Sequence, residues 1–248
     1  ILNTTSHDNY QLGIGGLGSD ILLDVVASHH NNLQFRPSWE GGGSKFSKTI
    51  RLTVRNSHIY LNLGPGLWLD NDNDKYLIED SISEFNFTTT PPDVQASSAD
   101  IFIEISQSGI IRRNTCPPKT TGFNAWLWNA NILIAASGGS GNTVDDTIID
   151  IYENIVGSIG LIQQNREAHI VQNVKVHNNN MTPNNLQWIG AVQDIGSNAI
   201  FDTRGNEFNT NTYNLANALN NLFVWNNSQM TPTEWQTAGN DIDGVFNH

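Results

Sequence analysis

The sequence predicts an all-β chain whose short strands stack coil upon coil, a parallel β-helix or β-solenoid. Three observations predict it. A β-prone phrase carrying Asn or Asp recurs along the chain, a second apolar strand follows most recurrences, and helical periodicity is nearly absent.

The first phrase occurs at residues 54–59, 77–82, 110–114, 151–156, 174–181 and 203–208. Its marked residues are Asn56, Asp80, Asn114, Asn154, Asn179 and Asn206, separated by 24, 34, 40, 25 and 27 positions. Asn tolerates left-handed backbone at a tight turn, and its amide can bond the Asn of the next coil. The second strand type occupies residues 66–70, 101–105, 132–135, 160–163 and 190–193, with an earlier relative at 12–16. Strands this short, separated by Gly and Asn, do not suit a sandwich or an up-and-down barrel. About eight coils of roughly 22–30 residues account for the chain, each unable to bury its apolar residues alone. Only residues 211–222 carry a pattern for a short helix. The two long spacings mark insertions, Phe87–Ser98 with Pro91-Pro92, and Pro117–Asn124 with Pro117-Pro118. Both fall between the Asn turn and the next strand, so both are expected to leave the stack on a similar flank and to wall a cleft. No linker or composition shift divides residues 1–248, which read as a single domain.

Composition narrows the partners. Lys and Arg number 12 against 24 Asp and Glu, for a net charge of −12. A nucleic-acid backbone needs a basic face, so that class is excluded. No apolar run is long enough to insert in a bilayer. Asn, Ser, Thr and Gly carry the polar surface and suit neutral hydroxyl-rich ligands. Cys116 is alone and reads as a small buried hydrophobe, without a disulfide framework. Glycosylation-type sequons fall at Asn3, Asn86, Asn180 and Asn226.

Several segments extend the pattern: Pro37-Ser38-Trp39-Glu40-Gly41-Gly42-Gly43-Ser44-Lys45-Phe46, residues 64–73, residues 101–106 and Ile162-Gln163-Gln164-Asn165-Arg166. The end reads Pro232-Thr233-Glu234-Trp235-Gln236-Thr237-Ala238-Gly239-Asn240-Asp241. Together they resemble the pectin-lyase-like, right-handed parallel β-helix superfamily, and most of all its bacterial secreted repeat proteins. The resemblance covers nearly the whole chain. It implies a right-handed coil, a secreted or cell-surface location and a polysaccharide or oligosaccharide partner. It does not choose among lyases, hydrolases, epimerases, esterases and phage tailspikes. The lyase calcium site and arginine base of that superfamily find no residue-by-residue match. Nor does its N-terminal cap helix, so Ile1 is expected to start inside the repeat, with upstream coils lost.

Strand alternation then sets the candidate site. With Leu67, Leu69, Ile101, Ile103, Ile132 and Ile134 inward, an outward column reads Asp70, Glu104, Ala135, Gln163, Gln193. Beside it runs Trp68, Phe102, Leu133, Leu161, Ala191. Carboxylates on neighbouring coils would lie roughly 5 Å apart, the spacing of a retaining glycosidase pair, and those two coils apart roughly 10 Å, slightly above that of an inverting pair. Glu104 is the expected acid and Asp70 the nucleophile or base, with Asp72 and Glu40 as further acids. Trp68 and Phe102 are expected to form an aromatic shelf for sugar rings, and Trp126 and Trp128 to line the cleft or anchor a loop. Gln163, Gln164, Asn165 and Arg166 form a polar cluster suited to sugar hydroxyls, with Arg166 able to fix a carboxylate.

A glycoside hydrolase without cofactor is one reading. A lyase is another, using Ca²⁺ among Asp70, Asp72, Asp74 and Glu104, with Lys45, Arg113 or Arg166 as base. The run Asp70–Asp74 is no EF-hand, because Lys75 and Ser81 stand where that loop needs Gly and Glu. A non-catalytic carbohydrate-binding or surface-attachment module is a third reading. The histidines show no zinc spacing, and adjacent His29 and His30 are expected on opposite sides of a strand or turn.

Overall fold

The computed structural model describes residues 1–33, 41–87, 97–120, 126–140, 148–166, 168–217 and 221–248. It is an all-β chain built of parallel sheets.

One sheet stacks the second strand type: Leu12–Ser19, Gly42–Ile50, Leu67–Asp70, Ile101–Glu104, Ile132–Ala135, Ile159–Gln163, Ile189–Gln193 and Phe223–Trp225, in that order. The pairing is parallel throughout this series, so each strand lies beside its counterpart from the next repeat. A larger sheet holds two such series. The phrase strands Thr53–Arg55, Tyr76–Glu79, Gly109–Arg112, Ile149–Tyr152, Val174–His177 and Glu207–Asn209 stack parallel. So do His58–Tyr60, Ile82–Glu84, Thr115–Cys116, Ile155–Val156, Asn180–Met181, Thr212–Asn214 and Val245–Asn247. Leu22–His29 pairs with the first strand of both series and joins them.

Between the sheets runs one apolar core, from Ile14 and Leu23 through Leu69, Ile103, Ile134 and Val176 to Phe223 and Trp235. The parallel register puts like on like: Leu69 on Ile103, and Ile103 on Ile134. Cys116 is fully buried there, and burial pushes its thiol up.

The strands end for a repeated reason. Asn56, Asp80, Arg113, Glu153, Asn178 and Thr210 all have positive φ, from 50° to 55°. The residue after each turns inward: Ser57, Ser81, Asn114, Asn154, Asn179 and Asn211 are all buried. Asn114 Nδ2 donates to Asn154 Oδ1, Asn154 Nδ2 to Asn179 Oδ1, and Asn179 Nδ2 to Asn211 Oδ1. The ladder ends on Asp241, which also accepts from the Tyr213 hydroxyl. A second ladder runs Asn9, Asn31, Asn62, Asn86, Asp100, Asn131, preceded by left-handed Asp8, His30, Leu61 and Phe85. The two tasks expected of one Asn are thus divided between consecutive residues. Asn56 and Asp80 bend the chain, and the serines after them turn inward. Asn206 pairs elsewhere, accepting from Val174 N and donating to Val171 O and Ile200 O. Asn86 is committed inside its ladder, so its sequon offers no free amide.

The helix expected at residues 211–222 does not form among the described residues of that range, 211–217 and 221–222. Thr212–Asn214 is a strand, because Asn211 must point inward and Tyr213 fills the core. Among the described residues the helical turns are Ala199–Asp202, Pro232–Thr237 and the 3₁₀ turn Trp126–Asn129. Pro232–Thr237 carries the closing motif and buries Trp235 completely. A capping box fixes its start: Thr231 accepts from Glu234 N, and Glu234 accepts from Thr231 N. Thr231→Ala is expected to cost about 1 kcal/mol, seen as a melting temperature about 2–4 °C lower.

Candidate functional site

The site is built on the outward side of Leu67–Asp70 and Ile101–Glu104. Leu67 and Leu69 enter the core, so Trp68 and Asp70 face the other way. Trp68 pairs in register with Phe102, and Asp70 with Glu104. The two acids are therefore neighbours about 4.8 Å apart by strand spacing. Lys45, register partner of Trp68 on the preceding strand, completes the row.

The acids are not solvated. Asp70 is 8% exposed and Glu104 5%. Lys45 Nζ stands 2.9 Å from Asp70 Oδ2 and 3.8 Å from the centre of the Trp68 ring. Arg166 Nη2 donates to Glu104 Oε1 at 2.5 Å. Four charges, two of each sign, thus line up as Lys45, Asp70, Glu104 and Arg166. Burial, and then the Asp70 charge, push the Glu104 carboxyl above the usual carboxylate range, against the pull of Arg166 and Lys45. Desolvation of the charged form outweighs the ion pair.

The aromatic shelf is covered rather than open. Trp68 and Phe102 stack with ring centres 5.5 Å apart, and Trp128 meets Phe102 edge-on at 6.3 Å. Ala99, Leu127, Leu133, Ala135 and Ile162 close round them as a second small core, with Trp188 and Val192 against it. Ala99 directly follows the first insertion, and Leu127 lies shortly after the second. Lys119 Nζ donates to Ser98 O, and Ser98 Oγ to Asn129 Oδ1, so the described ends of both insertions are tied to each other beside Ala99. Trp126 opens the 3₁₀ turn that supplies Leu127 and Trp128.

The outward column shifts by one residue past Ala135. Its partner is Ile162, and then Val192, so Gln163 and Gln193 are not in it. Leu161 and Ala191, expected outside, lie in the main core. Gln163 is occupied within the fold: Nε2 donates to the Gln164 and His169 carbonyls, and Oε1 accepts from Val171 N and Arg204 Nη1. Asn165 is exposed beside Arg166.

Other candidates fall elsewhere. Arg113 follows a strand of the larger sheet and pairs with Glu79 and Asp80, away from the acids. Asp72 is exposed, because it is the left-handed residue that lets Asn73 turn inward. Asp74 accepts from Ser108 N and Oγ. Glu40 lies outside the described residues. Among the described residues no three His, Cys, Asp or Glu side chains are placed to hold a metal ion, so the calcium set does not assemble.

Residue spacing gave no sign of His169. It pairs with Arg166 in an antiparallel bridge, and its strand His169–Val171 runs beside Gly138–Ser140. Three buried polar atoms at this site lack a hydrogen-bond partner: Trp68 Nε1, Gln164 Oε1 and His169 Nδ1. No family model matches this chain, and neither a curated protein nor a solved structure matches it.

Proposed function

We propose that the chain is a secreted or cell-surface right-handed parallel β-helix that cleaves a polysaccharide as a glycoside hydrolase. The in-register pairing of Asp70 with Glu104 carries the reading. Parallel strands joined by crossovers favour the right hand, which supports the coil sense.

Adjacent-strand spacing suits a retaining double displacement. Glu104 is the proton donor to the leaving oxygen, and its raised proton affinity fits that work. Asp70 attacks the anomeric carbon from the opposite face, and Glu104 then takes a proton from the water that releases the sugar. Lys45 orients Asp70, while Arg166, its side chain 45% exposed, withdraws from Glu104 to admit substrate. The unpartnered Trp68 Nε1, Gln164 Oε1 and His169 Nδ1 suit hydroxyl groups, which both donate and accept.

A panel of glycans assayed for new reducing ends tests this. The wild type is expected to turn over at least one of them, and Glu104→Gln to lose about 100-fold or more in kcat. The acid must be protonated to work, so kcat/KM is expected to fall as pH rises through its raised pKa. Glu104→Gln is expected to lose that alkaline limb. Turnover unchanged in Glu104→Gln removes the assignment, and an unsaturated product absorbing in the ultraviolet identifies a lyase.

One observation favours a second reading, a glycan-binding module without turnover. Both acids already hold a cation and are closed over. Glycan binding without cleavage, surviving loss of both Asp70 and Glu104, is its signature.

A further inference from the structure

Four of the seven histidines meet at one corner of the larger sheet, on strands that do not carry Asp70 or Glu104. His7, His29, Tyr60 and Glu84 are register partners on successive strands. The His29 ring is held between His7 at 5.0 Å and Tyr60 at 4.7 Å, both stacked. His58 stacks on Tyr60 and pairs with Glu84 at 2.9 Å.

Simple alternation would part His29 from His30. The ladder prevents it. Asn31 must point inward to donate to Asn62, so His30 takes the left-handed conformation, φ 52°, that turns the chain. His30 thereby swings to the side of His29, and the two Nδ1 atoms share a hydrogen bond at 2.8 Å.

A dication can displace the shared proton, which passes to Nε2 or to solvent, and the separation is then already close to a ligand bite. Imidazole nitrogens bind a first-row dication at about 2.0–2.1 Å, so two at right angles on one ion sit about 2.9 Å apart, and two at the tetrahedral angle about 3.4 Å. The geometry points to a two-histidine chelate at His29 and His30 for a tetragonal dication, Cu²⁺ above Ni²⁺. No third His, Cys, Asp or Glu among the described residues is placed to share the ion, so water fills the remaining positions. Asp8, paired with His7 and within electrostatic reach of His29 and His30, offsets the added charge.

Titrating the whole chain with Cu²⁺ alone, followed by calorimetry and electron paramagnetic resonance, tests the site. One equivalent is expected, with coupling to two nitrogens, and with Ni²⁺ weaker. His29→Ala and His30→Ala are each expected to weaken binding by about tenfold or more, with circular dichroism unchanged. His58→Ala, whose ring pairs with Glu84, is expected to bind as the wild type does. A bound ion should also raise the melting temperature of the wild type and not that of the two variants. Absence of uptake overturns the site, and uptake that survives both His29→Ala and His30→Ala marks an adventitious ion only.

Discussion

Lys119→Met is expected to destabilise the fold by about 3–5 kcal/mol, because it strands a buried charge. Lys119 Nζ lies 2.8 Å from Asp100 Oδ2, and the two side chains are 4% and 0% exposed. The same ammonium donates to the Asn86 and Ser98 carbonyls. Met fills similar volume without the charge, so Asp100 keeps only its amide donors, Asn86 Nδ2 and Asn131 Nδ2. The loss should lower the melting temperature by roughly 10 °C. The pH dependence gives a sharper check. Burial already pushes the Asp100 carboxyl above its ordinary range, against Lys119. Without Lys119 the folded chain prefers Asp100 neutral still more strongly. An acid whose folded pKa is raised favours the fold below its unfolded pKa and costs stability as pH climbs through the folded value. The deficit of Lys119→Met should therefore be smaller at pH 5 than at pH 8 in urea melts. Adding Asp100→Asn should remove that pH dependence and recover much of the loss. A deficit independent of pH would mean that Lys119 acts by packing alone.

The consequence reaches the candidate site. Asp100 immediately precedes Ile101–Glu104, and Lys119 ties it to Ser98 and the chain after Cys116. Lys119→Met should then loosen the cover over Trp68 and Phe102 as well as the fold.

The strand columns were legible because stacking leaves a periodic trace. Six of the eight strands of that series begin within one residue of where the sequence placed them, Gly42–Ile50 and Phe223–Trp225 being the two not read as such, and Leu69, Ile103 and Ile134 do share one side. The pairing of Asp70 with Glu104 followed from counting outward from those residues. Three things did not follow. The first is phase beyond an irregular start. Leu161, not Ile162, pairs with Ile134, so the outer column passes to Ile162 and leaves Gln163 to bind the Val171 amide and Arg204. The second is cover. Alternation tells which side chains leave the main core, but not that Ala99, Leu127 and Trp188 return over them. Those residues lie outside the repeated strands, Ala99 and Leu127 just after the insertions and Trp188 before its strand, and Lys119, within the second insertion, lies in no repeat. The pairing of His29 with His30 escaped for a third reason. A left-handed residue breaks alternation, and only the ladder position of Asn31 requires it.

That division between bending and bonding residues can be put to one test at adjacent positions. Asn154→Leu should cost about 3–5 kcal/mol. Its Oδ1 accepts from both Asn114 N and Asn114 Nδ2, and its Nδ2 donates to Ile111 O, Tyr152 O and Asn179 Oδ1. Leu fits the space and meets none of them, so donors and acceptors fully removed from water lose their partners. The melting temperature should fall by roughly 10 °C. Glu153, one residue earlier, does the opposite work. Its φ of 55° is left-handed, where a Cβ meets the carbonyl and Asn is tolerated far better than Glu. Glu153→Asn should accordingly stabilise the fold by up to about 1 kcal/mol. The same substitution at a rung would be expected to do the reverse at positions now held by Ser57 or Ser81, where the wider amide must find a new partner. If Asn154→Leu and Glu153→Asn shift the melting temperature alike, the turn acts as one flexible unit. Opposite shifts mean that the inward amide column, more than turn propensity, keeps each strand over the one before and so keeps Glu104 beside Asp70.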